Sequence, residues 1–185
     1  MQNACHTARI RTVVTSRAFL DKANLTDEVA RLRGVRLVYV EDLRSQFGFA
    51  DKIWLLAWAL WFPLRAVPAG DPEAPAVVLF TSGSEGKPKG VVLSHRALLS
   101  NVDQVLARLT FGPADKVFNC LPIFHSFGLT GGVLVPLVCG ARLVLYTSPL
   151  HYKLIPELVR ERQCTVLFAT GSFLNQYARN AGPDD

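Results

Sequence analysis

A chain of 185 residues, half of them apolar and 19% charged, can bury a real core and is not the composition of a disordered polymer. Its net charge of +5 is spread rather than blocked. That pattern suits anionic partners such as nucleotides, phospholipid surfaces or an acidic carrier, and the lack of an Arg/Lys stripe interleaved with aromatics argues against nucleic acid. Cys5, Cys120, Cys139 and Cys164 show no CxxC spacing, so the natural reading is a reducing, cytoplasmic compartment with no metal site. The N-terminal MQNACHTARIRTVV lacks the apolar core of a signal peptide.

In chain order, Ile10 to Thr15 is a short β-prone run, after which Ser16 or Thr15 caps a helix over Arg17 to Ala23. Leu25 to Leu32 predicts an amphipathic turn or two. Val35 to Val40 predicts a second strand, followed by Glu41-Asp42 as a cap for another short helix. Asp51 is placed to cap a helix running to about Phe62, where Pro63 stops or kinks it. Its apolar run falls well short of the roughly 20 residues a membrane-spanning helix needs. Trp54, Trp58 and Trp61 fall at i, i+4 and i+7 on one face. Either this helix is buried against parts of a larger protein, or it lies on a membrane with its indoles at headgroup depth.

Pro68 to Pro75 is a proline-rich linker that divides an N-terminal part, 1–75, from a core beginning at residue 76. In the core, apolar runs flank a loop from Thr81 to Gly90. Ser94 caps a helix from His95 to about Leu109, with Leu98, Leu99, Val102, Val105 and Leu106 inward. Strands follow at Val117 to Leu121, Arg142 to Tyr146 and Thr165 to Ala169. A loop is expected over Pro122 to Gly128, and helices over Leu129 to Val138, Tyr152 to Gln163 and from Thr170-Gly171-Ser172 through Tyr177. The fold class is α/β, a mostly parallel sheet with covering helices. Ligands on such sheets sit beyond the strands' carboxyl ends, so Thr81 to Gly90, Leu121 to Gly128 and Thr170 to Ser172 are expected to converge on one cleft.

The glycine-rich loop reads as an anion cradle, against the alternative of a solvated turn with incidental lysines. Hydroxyls, glycines and the lysines Lys87 and Lys89 between two strands are what a loop needs to fold round phosphates. Gly83 and Gly86 are too close for a Walker loop, Pro88 occupies the place of its Ser/Thr, and GxGxxG is absent. His125, alone in an apolar loop, and its neighbours Phe124 and Phe127 read from residues alone as either structural or site groups.

Thr81-Ser82-Gly83-Ser84-Glu85-Gly86-Lys87-Pro88-Lys89-Gly90 resembles the phosphate-binding signature of the adenylate-forming superfamily of acyl-CoA synthetases, luciferases and peptide-synthetase adenylation domains. Leu121-Pro122-Ile123-Phe124-His125-Ser126-Phe127-Gly128 resembles that superfamily's LPxFHxxG element. The same loop, the LPIFHSFGLT run, Ser148 to Val159 and Cys164 to Arg179 look most like the acyl-acyl-carrier-protein synthetase part of bifunctional enzymes that also carry a 2-acylglycerophosphoethanolamine acyltransferase. Glu85, where a hydroxyl is usual, fits that subfamily.

The resemblance implies ATP with Mg²⁺ as cofactors and a partial large N-terminal domain of the adenylate-forming fold. Thr81, Ser82, Gly83, Ser84, Gly86, Lys87 and Lys89 would hold the β and γ phosphates while a fatty-acid carboxylate attacks the α-phosphorus. Lys89 and His125 would be catalytic, and Phe124, His125 and Phe127 would bind the acyl substrate; no residue is assigned to metal. Acyl carrier protein or coenzyme A would receive the acyl group, in the cytoplasm or at the inner membrane. The family's remaining elements are expected beyond Asp185 and any acyltransferase module before Met1, so this stretch alone is expected to be inactive and prone to self-association. Two alternatives stay open: a synthetase for an aryl or amino acid, and a non-catalytic membrane-peripheral or phosphate-binding piece.

Overall fold

β-branched runs bounded by polar turns form short strands here, and the helices between β1 and β2 and between the strands of the second unit's sheet supply the crossovers that parallel pairing needs. The computed structural model describes residues 2–63, 69–81 and 89–183. The chain divides into two units, Met1–Asp71 with Phe80–Gly90, and Pro72–Leu79 with Val91–Asp185.

The first unit comprises α1 (Gln2–Thr7), β1 (Thr12–Thr15), α2 (Arg17–Lys22), α3 (Thr26–Ala30), β2 (Arg36–Tyr39), α4 (Val40–Gln46) and α5 (Phe49–Trp61). β1 and β2 pair in parallel, from Thr12 opposite Arg36 to Thr15 opposite Tyr39. Ser16 caps α2 as expected, its Oγ accepting from the Phe19 amide at 3.4 Å. Glu41 and Asp42 do not cap α4; they lie in its first turn, where negative charge meets the positive end of the helix. Both turn to the start of α2. The Ser16 hydroxyl donates to Glu41 at 2.8 Å, and Arg17 grips Asp42 with two bonds of 2.8 and 2.7 Å while lying 4.1 Å over the Tyr39 ring.

Helix α5 begins two residues before Asp51. Gly48 is the cap residue, and the Asp51 carboxylate reaches back to accept the Gly48 amide at 2.9 Å. Trp54 and Trp58 meet at 5.6 Å between ring centroids, and Trp58 meets Phe62 at 5.5 Å. No residue of α5 is buried, and Trp61 is 75% exposed. Among the described residues, no helix is long and apolar enough to cross a membrane.

The runs flanking the glycine-rich loop form β3 (Pro75–Thr81) and β4 (Lys89–Ser94), hydrogen-bonded to each other. Lys89 and Gly90, expected in the loop, are already strand. Ser94 caps α6 (His95–Leu106) by accepting the Ala97 amide at 3.2 Å. Leu98 and Val102 of α6 are buried, but Leu99, expected inward, is exposed because it lies one step round the helix.

The centre of the second unit is the sheet β6-β5-β7, with β5 (Lys116–Asn119) parallel to both β6 (Arg142–Leu145) and β7 (Val166–Phe168). Along β5 the side chains alternate. Phe118 and Cys120 join a core with Ile155 of α9 (Leu154–Glu161) and Tyr177 of α10 (Gly171–Asn180). Asn119 faces the other way, toward a helical stretch unbroken from Ser126 to Cys139: α7 (Ser126–Leu129), a π turn (Thr130–Leu134) and α8 (Val135–Cys139). Helices thus cover both faces of a parallel sheet. The predicted loop over Pro122 to Gly128 is shorter than expected, since Ser126, Phe127 and Gly128 already belong to α7.

Candidate functional site

The three parallel strands of the second unit end at one rim. Leu121, Pro122, His125 and Phe127 follow β5, Pro149 follows β6 and Thr170 follows β7, and together they wall a cleft of about 400 Å³. Two of the three loops expected to converge therefore do so. In the first loop, Ser82, Gly83, Ser84, Gly86 and Lys87 lie outside the described residues.

Its two ends are described. The Thr81 hydroxyl donates to the Lys89 carbonyl at 3.5 Å, so the last residue of β3 and the first of β4 are brought together. Both residues are exposed.

His125 is the cap residue of α7, with its amide donating to the Pro122 carbonyl at 3.1 Å and its ring 4.8 Å from that of Phe124. The imidazole is exposed on the cleft wall. Phe127 also lines the cleft and packs edge-on against Phe168 of β7 at 6.0 Å. Phe124 is 69% exposed and does not line the cleft. Of the three residues expected to bind substrate, the structure brings two to the same wall.

Two residues that sequence reading misses, Asn119 and Tyr177, hold this rim. Asn119, only 1% exposed, accepts the Leu121 amide at 3.0 Å and donates to the Gly128 carbonyl at 3.3 Å. Its one sequence signal is a polar side chain closing the apolar strand KVFN. Tyr177 donates to the Pro149 carbonyl at 2.8 Å and lies 3.4 Å from the Cys120 sulfur. Burial pushes both the Tyr177 phenol and the Cys120 thiol above their ordinary values, so both stay protonated and neutral behind the cleft. Among the described residues, no three His, Cys, Asp or Glu side chains gather where they could hold a metal ion.

A protein-family model, AMP-binding enzyme, matches residues 1–185. The chain is 37% identical over 172 residues to the long-chain-fatty-acid–CoA ligase of Salmonella typhimurium, an alignment covering 87% of this chain and 30% of that ligase. In three dimensions it resembles the fatty acyl-adenylate ligase from L. pneumophila in complex with acyl adenylate and pyrophosphate (TM-score 0.65, 20% identity, 90% of this chain and 26% of that one). It also resembles McyG A-PCP complexed with phenylalanyl-adenylate (TM-score 0.72, 20% identity, 96% and 26%). At these identities the structural likeness establishes the fold, a mixed α/β arrangement matching adenylation domains. The chain spans less than a third of each of these proteins.

Proposed function

The chain belongs to the AMP-binding enzyme family, and from that premise we propose that it forms part of a ligase that uses ATP to activate a fatty acid and pass it to a thiol. In the first half-reaction a carboxylate oxygen of the acid bonds to the α-phosphorus of ATP and the bond to pyrophosphate breaks. In the second, the thiolate of acyl carrier protein or coenzyme A attacks the acyl carbon and AMP departs. Backbone amides of Gly83 and Gly86, the hydroxyls of Thr81, Ser82 and Ser84, and Lys87 and Lys89 hold the β and γ phosphates and offset the charge that gathers on departing pyrophosphate. His125 meets the acid's carboxylate, and Phe127 lines the path of its chain. Phe124, outside the cleft, serves the acyl entrance rather than its wall. Magnesium accompanies the phosphates of ATP, and the described residues offer it no carboxylate cluster.

The observation that carries this reading is the apolar cleft at the carboxyl ends of β5, β6 and β7, walled by the LPIFHSFG segment with one imidazole at its edge. A mostly apolar wall whose polar groups are one imidazole and the hydroxyls of Ser126 and Thr170, with no carboxylate among its lining residues, suits a lipid acid better than an amino acid, whose ammonium would require an anionic partner there. An aryl acid fits the Phe127–Phe168 pair as well, and is the second carboxylate class to test.

The experiment is acid-dependent exchange of labelled pyrophosphate into ATP by the protein carrying this sequence, with fatty, aryl and amino acids in parallel. Fatty acids are expected to support the fastest exchange, and Lys89→Ala to lower it about 100-fold, the scale of losing one charge-stabilising donor. Unchanged exchange in Lys89→Ala removes the phosphate role of that lysine. Exchange with amino acids only would overturn the lipid reading.

A further inference from the structure

The helical stretch that follows the LPIFHSFG segment passes over the end of β5 unusually closely. A Cβ built on Gly132 would lie 2.3 Å from Cγ of Asn119, and one on Gly128 would lie 2.2 Å from the Pro122 carbonyl oxygen. Both are impossible contacts, so only glycine allows the helix to descend to this depth. The π turn at Thr130–Leu134 falls at the same place, and the wider i to i+5 turn accommodates the side chain beneath it.

The side chain so enclosed is an amide. Asn119 is buried, and its two polar ends are spent on two backbone groups seven residues apart in the chain, the amide of Leu121 and the carbonyl of Gly128. These groups open and close the segment that carries His125 and Phe127. A backbone amide and carbonyl buried at this rim need partners, and Asn119 is the one residue type of its length that donates and accepts at once. Aspartate would accept from Leu121 but present a charge to the Gly128 carbonyl. Leucine would satisfy neither group.

We propose that Asn119 is the positioning residue of this cleft: it clasps both ends of the Leu121–Gly128 segment from beneath and thereby fixes where His125 and Phe127 stand. It touches no substrate itself. Its bearing on acid binding rests on the function proposed above, whereas the clasp is a property of the chain alone.

Two measurements separate these levels. Amide hydrogen exchange at Leu121, followed by NMR in the wild type, Asn119→Ala and Asn119→Asp, reads the clasp directly. Protection of Leu121 is expected to fall about tenfold in Asn119→Ala and to be largely kept in Asn119→Asp, which retains the accepting oxygen. Unaltered Leu121 protection in a folded Asn119→Ala overturns the clasp, whether or not the protein activates any acid.

In pyrophosphate exchange, Asn119→Ala is expected to raise the KM for the fatty acid about tenfold and leave the KM for ATP unchanged, as misplacement of a binding wall should. Equal changes in both overturn the positioning role. Should Asn119→Ala fail to fold, Gly132→Ala supplies the second route. Its new methyl group displaces the Asn119 amide, so it is expected to lower Leu121 protection with Asn119 still present, and the addition of Asn119→Ser to restore folding stability by making room. Full Leu121 protection in Gly132→Ala equally overturns the clasp.

Discussion

Asp115 shows how one side chain ties the entry of the central strand to its neighbour. One carboxylate oxygen accepts the Gly112 amide at 2.8 Å and the other accepts the Thr165 hydroxyl at 2.8 Å, while the Thr165 oxygen accepts the Lys116 amide at 3.0 Å. The turn before β5 is thereby joined to the residue before β7. The Gly112 amide first, and then the Thr165 hydroxyl, hold the Asp115 carboxyl below its ordinary value of 3.8. A carboxylate with a depressed folded pKa adds stability that is fully present above the unfolded value and is lost as pH falls through the folded one. Stability is therefore expected to drop below about pH 4 with a component from Asp115. Asp115→Asn should lower the melting temperature at pH 7 and leave a shallower acid decline than the wild type. Parallel melting curves at pH 7 and pH 3 check this, and an identical acid slope in both proteins would mean that the Asp115 bonds do not contribute. The same reasoning applies to Asp42, which Arg17 holds below its ordinary value.

At the scale of the element, Ser94 both ends β4 and caps α6. Its oxygen accepts the Ala97 amide, and the His95 and Arg96 amides are taken by the Ala74 and Pro72 carbonyls. Arg96 also reaches Glu73. The orphan donors of the first turn are thus met by the Ser94 side chain and by the chain just before β3. Ser94→Ala is expected to cost about 1 kcal/mol, and Ser94→Asp to recover most of it, as measured by urea unfolding. An unchanged midpoint in Ser94→Ala would show that the backbone bonds from Pro72 and Ala74 suffice. This helix was legible because a cap residue directly precedes an amphipathic run, and β5, β6 and β7 were legible as apolar runs between polar turns. Asp51 was misread because a carboxylate at the third helical position also reaches back to the cap. Leu99 was misread because a one-residue step on a helix turns a side chain through about 100°. The most instructive case is Gly132, which taken locally is only a weakness within a helix. Its purpose lies in Asn119, thirteen positions away in sequence, and local propensity carries no trace of such a contact. Asn119 was passed over for the same reason.

Over the whole chain, the distribution of apolar surface is uneven. Among the described residues, the second unit buries Phe118 and Ile155 fully in its core, whereas α5 in the first unit buries none and leaves Phe49, Trp54, Leu56, Leu60 and Trp61 exposed. A helix of 13 residues, about 20 Å long, with apolar groups on every side is expected to seek cover. The protein is therefore expected to associate with itself as concentration rises, and Trp54→Ala, Trp58→Ala and Trp61→Ala combined should shift it toward monomer in sedimentation velocity. Flotation of both proteins with phospholipid vesicles separates the two kinds of cover open to α5. An interfacial helix would take the wild type to the vesicle fraction and release the triple variant, because the indoles supply the amphipathic contact at headgroup depth. Equal and negligible flotation, with self-association still lost in the variant, would mean that α5 is a face for other protein and exclude the membrane-peripheral alternative. Of the two results the second is expected. The helix lacks the strongly charged face that interfacial helices use to stay at a water boundary, and Asp51 and Lys52 at its start leave the remaining turns without a polar side.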